Sequence, residues 1–156
     1  MAKGRLISPV LMWLFVIAGI MVIINIAPAA SFFSRNTFTS ALLFLALIYW
    51  AYFFFGAIWL NRNAARSVGK TPRIITTGVY GLVRHPIYGA DIILSLALFL
   101  FFPDIRVGIS VVWLTLTLIG WMMLEEWGLE KRFGYAYREY KKRVPMFLPF
   151  WNKRKK

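Results

Sequence analysis

The chain has 156 residues, 60% of them hydrophobic and 18% aromatic, and a mean hydropathy of +0.63 that is far too apolar for a soluble domain of this length. It holds no cysteine, one histidine and six acids, which excludes disulfides, thiolate catalysis and cysteine-ligated metals and leaves little for any other metal site. A formal net charge of +13 raises nucleic acid as a partner, but the cations flank apolar runs instead of forming a basic soluble domain, so they fit an anionic membrane surface and not a nucleic acid.

Four apolar stretches approach the length with which a helix crosses a hydrocarbon core of roughly 30 Å: Leu6 to Ala30, Phe38 to Leu60, Ile87 to Phe102 and Val107 to Leu124. The first follows Lys3 and Arg5 and ends in Ala27, Pro28, Ala29 and Ala30, so a secretory signal peptide is a competing reading. The run is, however, much longer than the roughly 7 to 15 residues of an h-region. The second and fourth stretches carry no charge. The third is short, borrows length from its flanks and contains Asp91, an acid suited to the positive end of a helix. Pro103 and Asp104 break the pattern and predict a tight helical hairpin, with Arg106 beginning the return.

Cations lie before the first stretch, between the second and third (Arg62, Arg66, Lys70, Arg73 and Arg84), and in the tail, where Lys141, Lys142, Arg143 and Lys153 to Lys156 cluster. The other two loops offer only Arg35 and Arg106. This asymmetry predicts an all-α integral membrane protein with four transmembrane helices, both termini and the Asn61 to His85 loop being cytoplasmic, in a prokaryotic plasma membrane or the endoplasmic reticulum. No internal repeat divides it. One domain is expected, residues 1–60 forming two anchoring or substrate-lining spans and residues 61–156 a part that binds a cofactor.

From Ser67 to Arg84, Gly69, Pro72, Gly78 and Gly81 favour turns. Pro86 suits the first turn of the third span and puts His85 at that helix mouth, beside free backbone amides. The fourth span should continue as helix through Glu125, Glu126 and Leu129 to about Arg132, stopping at Gly134. A short amphipathic helix is expected from Tyr135 to about Arg143, with Tyr137, Tyr140 and Val144 on one face and Glu139 spaced to pair with Arg143. It reads as a lid against the membrane, ended by Pro145 and Pro149.

Two constellations share the cytoplasmic face: Arg84, His85, Pro86, Tyr88 and Gly89, and the pair Glu125 and Glu126. Acids at the end of an apolar helix are costly and gain nothing from its dipole, so they need a cationic partner. Arg84, Arg73 or the basic tail could serve. A bound cation could serve equally, and S-adenosylmethionine, with a sulfonium, an ammonium and a carboxylate, calls for an acid and an arginine together. His85 is either an interfacial cap or a catalyst, and Tyr80 and Tyr88 either belt aromatics or ligand contacts.

Residues Thr76 to Gly89, TTGVYGLVRHPIYG, followed two spans later by EEWGLEKRFGYAYREYKKRVPMFLP from Glu125 to Pro149, closely resemble the isoprenylcysteine carboxyl methyltransferase family and the related phospholipid methyltransferases. The resemblance covers Ile74 to Phe150. It implies an S-adenosylmethionine site built from His85, Pro86, Tyr88, Gly89, Glu125 and Glu126, with Arg84 and Tyr80 as additions. The sequence departs from the family pattern at Ala90, where a glycine is usual, and at Met146, where many relatives are basic or polar.

The resemblance also implies methyl transfer to an amphiphilic acceptor. An isoprenylcysteine-type carboxylate comes first, because joining opposite charges in a dry site needs no strong base. A lipid headgroup amine comes next and requires a base, for which Glu126 or His85 are the candidates. Arg138 could position an anionic acceptor or be a solvated cation on the lid. Partners are then membrane lipids and a lipid or prenylated substrate. The rival readings are an NADPH-dependent membrane reductase of the sterol-reductase type, which shares an RHP and tyrosine segment, and a non-catalytic assembly or lipid-binding protein.

Overall fold

The computed structural model describes residues 9–60 and 73–149. Leu6 to Ser8, the cations Lys3, Arg5, Arg62, Arg66, Lys70 and Lys153 to Lys156, and the turn residues Gly69 and Pro72 lie outside these. The described elements are helices: α1 (Pro9–Ile26), α2 (Thr37–Leu60), α3 (Val79–Leu82), α4 (Pro86–Phe101), α5 (Ile105–Phe133) and α6 (Tyr135–Arg143). One isolated bridge, Ser31 to Asp104, is the extended pairing among the described residues.

Among them, α1, α2 and α5 are long and apolar enough to cross a membrane, whereas α4, with 16 residues, is shorter. Their surfaces agree. Val10, Phe15, Phe38, Phe44, Phe55, Trp59 and Leu116 are among many large apolar side chains left exposed, a surface that only lipid or a partner can cover.

Local chemistry sets the helix ends. The first helix stops at Ile26 instead of reaching Ala30, because Pro28 has no N–H for the ladder and its ring disfavours helical backbone at Ala27. Asn36 and Thr39 exchange side-chain bonds with each other's backbone N–H, both 3.0 Å, capping α2. Asp104 caps α5 by accepting from the Arg106 N–H at 2.8 Å. Gly134, at φ 56°, ends α5 and starts α6, a left-handed turn that favours glycine.

The helices α2 and α4 pack together most extensively, followed by α1 with α5 and α4 with α5. Phe53, Ala57, Val79, Val83 and Ala90 make one core between α2, α3 and α4. Met12, Ile92, Leu118 and Met122 make a second between α1, α4 and α5. At one end of the bundle the chain is tied by Phe32 N–H to Pro103 O and Ile105 N–H to Ala30 O, at 2.8 and 2.9 Å. At the other end Pro9, Ile58, Pro86 and Glu125 surround one cavity, so α1, α2, α4 and α5 alternate in direction.

That second end also carries α6. Its apolar face, Tyr137, Tyr140 and Val144, packs on Ile74, Leu129 and Phe133. The apolar face of α6 is therefore covered by protein, since α5 extends well beyond its apolar run and offers a surface to cover. The Glu139 carboxylate meets Lys142 at 2.7 Å, while Arg143 Nε bonds the Glu139 carbonyl.

Candidate functional site

Residues 145–147 form a strap across the mouth of α4. Arg84 N–H donates to Pro145 O and His85 N–H to Met146 O, both 2.9 Å. Gly89 is where the strap comes closest: a Cβ there would meet the Phe147 carbonyl oxygen and Cβ at 2.8 Å. The glycine that the sequence reading gave to the cofactor is thus filled by the chain's own backbone.

Strap and lid are locked by an ion cluster. Arg84 donates from Nε to Glu126 Oε1 at 2.8 Å and from Nη1 to the carbonyls of Lys141 and Val144 at 2.8 and 2.7 Å, holding the carbonyl end of α6 where a cation is favoured. Lys141 Nζ reaches Glu126 Oε2 at 2.9 Å and Glu130 Oε1 at 2.6 Å. Burial works against the Lys141 charge, but its bonds to Glu130 and Glu126 prevail and raise its pKa. Burial also raises the pKa of the Tyr137 and Tyr140 hydroxyls, and Tyr140 donates to Tyr80 O at 2.6 Å.

The two glutamates have different duties. Both Glu126 oxygens are taken, Oε1 by Arg84 and by His85 Nε2 at 3.3 Å, and Oε2 by Lys141. Glu125 Oε1 accepts from Tyr88 OH at 2.8 Å and Trp121 Nε1 at 3.0 Å. Its Oε2 lies 3.6 Å from His85 Nδ1. The histidine stands between the two acids, and its tautomer sets which ring nitrogen donates.

A cavity of about 430 Å³ opens beside this cluster, within the usual range for small-molecule sites. Tyr80, Arg84, His85, Pro86, Tyr88 and Glu125 line its polar end, with Tyr137 and Tyr140 from the lid. Pro9, Trp13, Leu14 and Ile17 of α1 and Phe54 and Ile58 of α2 line its apolar end. Glu126 and Gly89 are buried outside this wall, and Arg138 is exposed on α6, also outside it.

Sequence reasoning passed over three contributors. Trp121 lies one turn before Glu125, a spacing at which side chains meet on a helix, and that was its available signal. Lys141 was read only as part of a basic run. The α1 and α2 lining residues gave no signal beyond hydrophobicity. Asp91, expected in the first turn of its helix, instead lies farther along α4 and accepts from Trp50 Nε1 of α2 at 2.7 Å.

Apolar outer surfaces, a helical bundle and a charged cluster opening on a cavity at one end define a membrane-embedded helical protein with a cavity of small-molecule size. Residues 37–136 match the family model of the phospholipid methyltransferases, well over half of the chain, and the chain belongs to that family. The match includes α2, which the sequence resemblance left out, and stops at the start of α6. No curated protein and no solved structure matches the chain.

Proposed function

We propose that the protein transfers the methyl group of S-adenosylmethionine to a lipid acceptor at the cytoplasmic membrane face, with four crossings and both termini cytoplasmic. The carrying observation is Glu125: it faces the cavity while Glu126, beside it, is consumed by Arg84, His85 and Lys141. A buried carboxylate without a full cationic partner favours a positive ligand.

The cavity suits the cofactor by volume and by charge. When bound, the cofactor supplies a methyl group on a positively charged sulfur. Glu125 Oε2 would hold positive charge. Arg84 has Nε and Nη1 committed to Glu126 and two carbonyls, which leaves Nη2 for a carboxylate. The rings of Tyr80, Tyr88, Tyr137 and Tyr140 offer faces for a cation or a purine. Glu126 and Lys141 act as positioning residues, fixing Arg84 and the lid.

Of the two acceptors, a headgroup amine precedes an isoprenylcysteine-type carboxylate, because the family model that the chain matches is that of the phospholipid methyltransferases. The amine must lose a proton before it can attack. His85, on the cavity wall, would take it, in place of Glu126 and with Glu125 committed to the cofactor. The apolar walls of α1 and α2 would receive the lipid tail and exclude water. Arg138 serves as a headgroup-level cation on the outer face of the lid.

The test is transfer of labelled methyl from the cofactor, by the protein in nanodiscs, to phosphatidylethanolamine and to a prenylated cysteine analogue. Label in the amine lipid is the expected result. Label only in the cysteine analogue would restore the carboxylate acceptor. Binding of NADPH with none of S-adenosylmethionine would sink the methyltransferase reading, and cofactor binding with no transfer to any lipid would favour the non-catalytic one.

A further inference from the structure

The apolar end of the cavity reaches Ile17 on α1 and Phe54 on α2. Counted from the helix ends at Pro9 and Leu60, these lie about two turns down, ~9–12 Å at 1.5 Å per residue. One turn farther along α2, the Trp50 ring stacks on Phe54 with centroids 4.6 Å apart and an 18° tilt. Trp50 is not part of the cavity wall. Its indole N–H is held by Asp91 Oδ1 of α4 at 2.7 Å.

An acid on an apolar helix is costly to bury, and the chemistry proposed for the cavity leaves Asp91 without a task. Its one hydrogen bond gives it a task of another kind. It fixes the indole that backs Phe54. Tyr52, Phe55 and Trp59 of the same helix are 60%, 62% and 77% exposed, whereas Phe54 is turned inward and partly buried.

We infer that Phe54, propped by Trp50 and Asp91, is the floor of the apolar arm and determines the tail length of the acceptor. This rests on the proposal that the cavity takes an amphiphilic acceptor. A tail ending above Phe54 lies along a slot between α1 and α2 whose Leu14, Ile17 and Ile58 are 57%, 54% and 37% exposed; a longer one must displace the ring or leave sideways into lipid, and gains less from binding. Asp91 and Trp50 are positioning residues in this scheme, acting through Phe54.

The experiment uses the full chain in nanodiscs and phosphoethanolamine acceptors with octyl, dodecyl and hexadecyl tails. The readout is the ratio of kcat/KM for the longest tail to that for the shortest. Phe54→Ala should raise this ratio about tenfold or more, the discrimination that a few methylenes give in an apolar pocket. Asp91→Leu should shift it in the same direction by a smaller factor, and Asp91→Asn, which keeps an acceptor for the indole, should leave it at the wild-type value. Phe54→Leu, a milder change, serves if the alanine variant does not fold.

An unchanged ratio in the Phe54 variants, or a loss of rate that is uniform across tails, would overturn the inference while leaving the methyltransferase reading intact. If the wild type methylates none of the three, the reading of the site fails instead. Competition of the same ladder against a fluorescent acyl probe then measures tail preference without catalysis. In that assay too, a wild-type preference that Phe54→Ala leaves unmoved overturns the floor.

Discussion

Glu125 and Glu126 are adjacent in sequence and chemically identical, yet their surroundings separate them. Glu126 is 6% exposed and meets two basic side chains and His85; removing a buried charge's partner costs about 3–5 kcal/mol. Glu125 is held by two neutral donors, Tyr88 and Trp121, and its second oxygen lies 3.6 Å from His85 Nδ1 on the cavity wall. Glu125→Gln should therefore weaken S-adenosylmethionine binding at least tenfold by calorimetry, since a charge-assisted bond is worth about 1.5–3 kcal/mol, with little change in the unfolding midpoint. Glu126→Gln should do the reverse, lowering the midpoint by several degrees. Equal effects of the two substitutions on affinity would refute this division.

Which glutamate does which could not be read from sequence. Consecutive helix residues point about 100° apart, so one of the pair had to face elsewhere, but the direction depends on where α4 and α6 dock. His85 at the mouth of α4 was legible from Pro86 alone, because proline is favoured in a first turn. Its place between two acids required α5.

The short helices and the strap matter more to the site than their length suggests. Gly134 predicted the break between α5 and α6, and α6 begins and ends as its sequence indicates. Its periodic face also predicted burial of Tyr137, Tyr140 and Val144. What covers that face was decided by α5, which runs 29 residues, about 43 Å. That exceeds a hydrocarbon core of roughly 30 Å and leaves a protruding end for α6 to grip.

Gly89 shows the same limit. A glycine in a helix signals a close approach without saying of what, and Phe147 makes it. Gly89→Ala should push the strap away, costing about 1–3 kcal/mol by overpacking. Hydrogen exchange at His85, whose amide bonds the strap at Met146, should then accelerate while the amides in the middle of α2 stay protected. No change at His85 would show that the strap tolerates the methyl group.

At the scale of the whole molecule, alternating helix directions put the Ala27 to Asn36 segment and the cavity at opposite ends. The chain has no cysteine, so a single one can be introduced cleanly. Ser34→Cys and Thr77→Cys, both at exposed positions, should react with a membrane-impermeant maleimide from opposite sides, Thr77→Cys only after the cytoplasmic side is opened. Labelling from one side would contradict the four-crossing arrangement.

Composition and the spacing of apolar runs were enough to determine the long apolar helices of the described residues, because the hydrophobic effect and backbone hydrogen bonding leave a bilayer segment few alternatives. Cap residues and motif glycines determined where most helices begin and end, since those signals act within one turn. Only the tertiary structure decided that Glu125 faces the cavity, that the chain's own strap occupies Gly89, and that Asp91 props Trp50. Each of those depends on contacts between residues 37 to 58 positions apart, and a local pattern holds no information on which distant surfaces will meet.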